Sequence, residues 1–240
     1  MISPRLARRI ATIHKWLGLI VFAQLIVWTG TGLFFAAVHL TAVRADYLVH
    51  PANHMTPVDM SRVKFTSAEA LQSVAEDRPY EVTLKSLAGQ PVYQIRAEIG
   101  TFLVSGETNE RLIVDEPLAR KIAAATWVAD TPIKRIEELE TAPRESSVSG
   151  NVWAAHFEGE GDPTLYISAV DGRTSLPRTD LWRTYDFLYG LHLMDYSEHE
   201  NFNTPWMLAA AIFALSTVLF GVALLFHRFT RGLMNKDKTA

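Results

Sequence analysis

The sequence predicts an α+β fold: two transmembrane helices flanking a helix-plus-antiparallel-sheet domain that carries an internal duplication. Three observations point there. Long uncharged runs lie near the two ends, charge is segregated along the chain, and the middle alternates helical with strand-like patterning.

The chain begins with a basic N-terminus, residues 1–15, carrying Arg5, Arg8, Arg9 and Lys15 and no acid. Residues 16–38 then run without a charge, as do residues 206–226, the latter opened by Pro205. At 1.5 Å per residue these make helices of roughly 34 and 31 Å, enough to cross a hydrocarbon core of about 30 Å. A buried core helix is the alternative, but soluble helices rarely run so far without a solvated residue. The first run is also longer than a cleavable signal segment, so it reads as an anchor. Transmembrane segments are therefore expected at 16–38 and 205–226, with Trp16 and Trp206 at the interfaces.

Between the spans, residues 40–204 hold 15 Lys/Arg against 25 Asp/Glu, a net charge of −10. The tail 227–240 is basic again. The positive-inside rule puts both termini in the cytoplasm and the loop outside, which in a Gram-negative bacterium is the periplasm. The whole chain carries −3, which argues against nucleic acid as a partner. It has no cysteine, excluding disulfides, thiolate-held metals, thiol catalysis and covalently attached haem.

A loop of this length needs its own fold. Ser67–Glu76 has helical spacing and opens on a Thr66/Glu69 capping box. Strands are expected at Tyr80–Leu87, Val92–Ile99, Thr101–Ser105 and Arg111–Val114. A second helix over Glu116–Trp127 precedes strands at Ile133–Leu139, Asn151–Glu158 and Thr164–Val170. Thr101-Phe-Leu-Val-Ser105 matches Thr164-Leu-Tyr-Ile-Ser168 in pattern, which suggests two copies of one helix-on-sheet unit; chance likeness between strands is the alternative. The domain is expected to span 40–178. A juxtamembrane segment, 179–204, follows, with a helix over Arg178–Met194 whose Tyr185, Leu188, Tyr189 and His192 would lie on the membrane surface or the sheet.

Several stretches resemble PepSY-associated transmembrane proteins. Ile13-His-Lys-Trp-Leu-Gly-Leu19 with Thr29-Gly-Thr-Gly-Leu33 resembles their first helix, and Thr164–Thr174 resembles the closing hairpin of a PepSY domain. Leu181–Tyr196 with Asn201-Phe-Asn203 is similar to the juxtamembrane segment of small two-span members. The resemblance covers nearly the whole chain. It implies an inner-membrane accessory subunit of a redox or metal-uptake system, not catalytic by itself. It also implies two rivals: a subunit carrying b-type haem for electron transfer, and a periplasmic regulator of a peptidase. The expected partners are the lipid bilayer, further copies of the chain or membrane redox subunits, and, for the second rival, a peptidase.

The haem reading singles out histidines. Of His14, His39, His50, His54, His156, His192, His199 and His227, four fall at membrane boundaries: His14 and His227 inside, His39 and His192 outside. Haem b needs imidazoles in an apolar, helix-lined pocket and no cysteine. If one helix ran through, His14 and His39, 25 residues apart, would project from similar faces. Arg9, Arg228 and Arg231 could pair with propionates. The plainer alternative is that these histidines reach headgroups or cap helix ends. His14 and His192 fit the family pattern best but sit at opposite ends, so a dimer or partner would have to complete the pocket.

No zinc-protease, nucleophile-elbow, P-loop or dinucleotide pattern occurs. Glu137-Glu138 and Glu158/Glu160 read as solvated acids rather than as an acid/base pair. No metal site and no catalytic centre is expected.

Overall fold

The computed structural model describes residues 3–50, 57–74, 78–128 and 130–236, with backbone alone at Pro4 and 231–236. Six helices and seven strands appear among them: α1 (Pro4–Ala37), α2 (Leu40–Arg44), α3 (Ser67–Gln72), β1 (Pro79–Leu87), β2 (Gln90–Ala97), β3 (Gly100–Ser105), β4 (Arg111–Leu112), α4 (Glu116–Thr126), β5 (Ile133–Leu139), β6 (Val152–Phe157), β7 (Thr164–Ser168), α5 (Asp180–Leu193) and α6 (Pro205–Lys236). They fall into two compact units, one of residues 1–38 with 185–240 and one of residues 39–184.

In the first unit α1 and α6 run side by side. The helix α1 opens on Ser3, whose hydroxyl accepts from the Leu6 amide at 3.3 Å, and Pro4 supplies the preset first turn. Both helices are long and apolar enough to cross a membrane, and almost none of their apolar side chains is covered. Of the most apolar 18-residue stretch of each, only 6% and 0% of the residues are buried. Leu19, Phe22, Ile26 and Leu33 on α1, and Leu208, Leu215, Leu219 and Phe226 on α6, are among those left open. A core helix of a soluble protein would bury such a stripe.

The second unit holds two antiparallel sheets, β1-β2-β3-β4 and β5-β6-β7. Strand alternation sets which side each residue takes. On the first sheet Tyr93, Ile95 and Val104 pack against Ala70 and Val74 beside α3, while Val92 and Leu103 face the other way. There they join Ala119, Ile122 and Ala123 of α4 and Ala155, Phe157, Leu165 and Ile167 of the second sheet in one core. Trp127, at the end of α4, stacks on Phe157 with ring centres 3.8 Å apart. Its indole N–H donates to Thr131 at 2.8 Å, so the ring is buried with its polar end satisfied.

The expected capping box is present: Thr66 accepts from the Glu69 amide, and the Glu69 carboxylate accepts from the Thr66 amide at 2.7 Å. α4 opens on Asp115, which accepts from the Leu118 amide at 3.0 Å.

The two stretches alike in sequence end in turns with like hydrogen bonds. At the end of β3 the Ser105 hydroxyl accepts from the amides of Glu107 and Thr108, both at 3.2 Å. At the end of β7, 63 residues on, Ser168 accepts from Val170 and Asp171, again both at 3.2 Å. The Asn109 amide donates to the Ser105 carbonyl as Gly172 does to Ser168, each at 2.9 Å. The Ser105 amide donates to the Glu110 carbonyl as Ser168 does to Arg173. Asn109 and Gly172 share a left-handed backbone, φ 60° and 68°. Each half is thus a helix followed by antiparallel strands closed by the same turn. In the second half the last strand is reduced to the bridges Thr164–Arg178 and Ile167–Thr174.

Two expectations need correcting. α1 ends at Ala37 and Val38 is extended (φ −100°, ψ 121°), so His39 is not on the helix of His14. His39 is instead the exposed residue that precedes α2, a five-residue helix the sequence pattern did not signal. Of the α5 aromatics expected on the membrane surface or the sheet, two meet α1 and not a sheet: the Tyr185 ring centre is 4.8 Å from that of Phe35, and Tyr189 meets Phe35 edge-on at 6.1 Å.

Candidate functional site

The best-built constellation joins the middle of α1 to the end of α5. Thr31 is buried, and its hydroxyl lies 2.8 Å from the Val27 carbonyl and 3.2 Å from that of Trp28. It also lies 2.8 Å from Nδ1 of His192. A hydroxyl has one proton, and the helix aims it at the carbonyl one turn back. Its lone pair therefore receives the Nδ1–H of His192, which leaves Nε2 as the nitrogen with a free lone pair. Trp28 fixes the same residue by donating its indole N–H to the His192 carbonyl at 2.9 Å. Phe35 closes the ring edge-on at 5.5 Å between centres. An imidazole oriented through one nitrogen with the other uncommitted is the usual form of a histidine ligand.

His14 sits where α1 and α6 touch. A Cβ built on Gly221 would come within 3.1 Å of His14 Cε1, so glycine lets the imidazole approach α6 more closely than a larger residue would. Its Nδ1 is buried, and no hydrogen-bond partner meets it among the described residues; the same holds for Nε2 of His227 and Nε2 of Gln24. Six residues separate Gly221 from His227, about 9 Å of helix rise. His14 is 17 residues from Thr31, about 26 Å along α1. Toward the Trp28 end, the two helices enclose a cavity of about 380 Å³ lined by Gln24, Trp28, Tyr196, Trp206 and Phe213.

One haem cannot take both His14 and His192 from a single chain, because about 26 Å of α1 separates His14 from Thr31, the residue His192 meets. His39 is exposed and follows the end of α1. Single imidazoles are on offer, His192 the best prepared of them. Arg9 and Arg228 are exposed; the side chain of Arg231 and the whole of His54 lie outside the described residues.

The remaining histidines are engaged locally. His199 pairs with Asp186 at 2.8 Å, and its ring lies so near Gly190 that a Cβ there would meet it at 2.5 Å. His156 lies 3.3 Å from Glu137, which also takes Arg135 at 3.1 Å. The Glu137 member of the acidic pair is therefore tied into an ion-pair group, while Glu158 and Glu160 are exposed as expected.

The turn between α5 and α6 is organised by Asp195. Its carboxylate accepts from the amides of Asn201 at 2.9 Å and Glu200 at 3.0 Å, and from both donors of Ser197. These bonds, the one from Asn201 foremost, hold its carboxyl well below the usual carboxylate range.

A second polar cluster closes β7. Glu145 accepts from the Tyr166 hydroxyl at 2.5 Å and from Arg183 at 3.1 Å. Arg178, buried beside it, donates to the Glu145 carbonyl and to Ser147 and lies 4.3 Å over the Trp182 ring. Burial first, and the Glu145 hydrogen bond second, push the Tyr166 phenol well above its ordinary range.

Sequence reasoning reached His14 and His192 but missed Glu145 and the pairing of Thr31 with His192. The separation of Thr31 and His192 by 161 residues hid that partnership. Small residues such as Gly18 and Gly221 did suit close helix contact. A scan against protein-family models, a search of curated proteins and a search of solved structures each found no match to this chain.

Proposed function

We propose that this chain is an integral protein of a bacterial cytoplasmic membrane. It is of PepSY type, with α1 and α6 as spans, both termini in the cytoplasm and residues 39–184 outside. Its role is that of a non-catalytic accessory subunit in a membrane redox or metal-uptake system. The observation that carries this reading is the open apolar surface of the α1/α6 pair. Water would penalise that surface by about 25 cal/mol per Å², whereas lipid accepts it. The charge asymmetry of the sequence supplies the direction.

Native purification in mild detergent tests the role. Companions identified by mass spectrometry should include redox or metal-transport subunits; recovery of a peptidase instead would favour the regulatory rival. For topology, a cytoplasm-active reporter fused after Ala240 should be active, and one inserted beside the exposed Gly159 and Glu160 should not. The reverse result would overturn the orientation.

A second reading is favoured by the uncommitted Nε2 of His192: one axial imidazole for a haem whose other ligand comes from a second subunit. Protein purified from haem-replete cells would then show a Soret band that His192→Ala abolishes.

A further inference from the structure

The sheet-bearing unit contains a cavity that none of the foregoing uses. It measures about 370 Å³, within the range of small-ligand sites. It opens where four distant stretches meet: the segment at Val49 and His50, the β1–β2 hairpin, α4, and the turn after β7. Leu87, Ile122, Ala125 and Leu176 give it an apolar wall, and Lys85 and Arg173 give it charge. No Asp or Glu lines it among the described residues, although the loop it belongs to is strongly acidic.

The two cations are held in place with donors to spare. The Lys85 ammonium donates to Gln94 Oε1 and to the Asp171 carbonyl, each at 2.8 Å, and one of its three N–H groups is left over. Arg173 donates its Nε–H to Asp171 at 2.7 Å. Its terminal nitrogens meet no partner among the described residues. Asp171 interacts with both cations and stays ionised: burial opposes its charge, but bonds from Ser168 and Arg173 and the two cations outweigh that. Two positive charges against one negative leave the site one positive charge in excess. His50 also lines the cavity and would add charge only when protonated.

We infer that this cavity binds a small organic monoanion, a carboxylate carried on a compact apolar body, with Lys85 and Arg173 on the carboxylate and Leu87, Ile122 and Leu176 around the body. The charge excess of one favours a monoanion over a dianion, and the apolar wall favours a body over a bare ion. The inference is independent of the membrane reading, because every residue in it belongs to one compact unit.

Equilibrium dialysis of the full-length protein in a maltoside detergent tests it, with protein-free micelles as the blank. The probes are 3-phenylpropionate, the uncharged 3-phenylpropan-1-ol, and 3-phenylpropylphosphonate, all measured at pH 8.5, where the phosphonate is largely a dianion. The carboxylate should bind at least about tenfold more tightly than the alcohol and more tightly than the phosphonate. Arg173→Gln should weaken the carboxylate about tenfold while Arg173→Lys retains most of it, and neither should unfold a side chain that is already exposed. Ala125→Trp, at an exposed position of the wall, should abolish binding by filling the space. No carboxylate binding at millimolar concentration, equal binding of acid and alcohol, tighter binding of the phosphonate, or undiminished binding by Ala125→Trp would each overturn the proposal.

Discussion

Thr31 shows how one hydroxyl can decide the chemistry of a distant ring. Replacing it by valine keeps the shape and removes the acceptor of the His192 Nδ1–H. A half-buried donor left without a partner costs about 1 kcal/mol. Nitrogen NMR of labelled His192 should show a protonated Nδ1 in the parent and a mixed tautomer in Thr31→Val. An unchanged ring would mean that Thr31 does not set the proton. Tyr166 offers a second test at this scale. Its phenol is held protonated in the fold, above the ordinary value of about 10, so its contribution is complete below pH 10 and fades as pH rises through the folded value. Tyr166→Phe should therefore cost about 1 kcal/mol at neutral pH, and its melting temperature should converge on the parent's above pH 10. A constant difference up to pH 11 would count against the Glu145 bond as the cause.

At the scale of elements, the matched turns after β3 and β7 diverge in one instructive residue. Asn109 and Gly172 share a left-handed backbone, but a Cβ at 172 would lie 2.8 Å from Leu87 and 3.2 Å from Ile122. Gly172→Asn should thus lower stability by about 2 kcal/mol, whereas Asn109→Gly should change it by less than about 1, both read from thermal unfolding. Equal effects would mean that crowding at Leu87 is relieved elsewhere. The strands were legible beforehand because alternation reports one buried face, and β5 appeared with the expected bounds, Ile133–Leu139. The likeness of 101–105 to 164–168 was legible as pattern and extends to the serine-centred hydrogen bonds of the two turns. Other features left no such trace. α2 is too short for a period, and nothing in the apolar run announced the extended Val38 that separates His39 from α1. The contact of α5 with α1 depends on pairings across some 150 residues or more, which no local window contains. The cavity at Lys85 is hidden for the same reason, its wall being drawn from four separated stretches.

For the molecule as a whole, the first and last helices form a pair in which His14 meets Gly221 and Gly18 faces Thr217. Rising numbers on one helix match falling numbers on the other, so the pair is antiparallel. Replacing Gly221 by leucine should drive His14 off α6 and weaken the pair, seen as faster proteolysis of the detergent-solubilised chain between its ends; unchanged proteolysis would mean that the contact is dispensable.

Because the helices run in opposite directions, both chain ends must emerge on the same face of any bilayer the pair crosses. On the proposed orientation, everything between them has to cross the bilayer. The α+β unit would then take its shape on the far side, moored to the lipid through both of its ends.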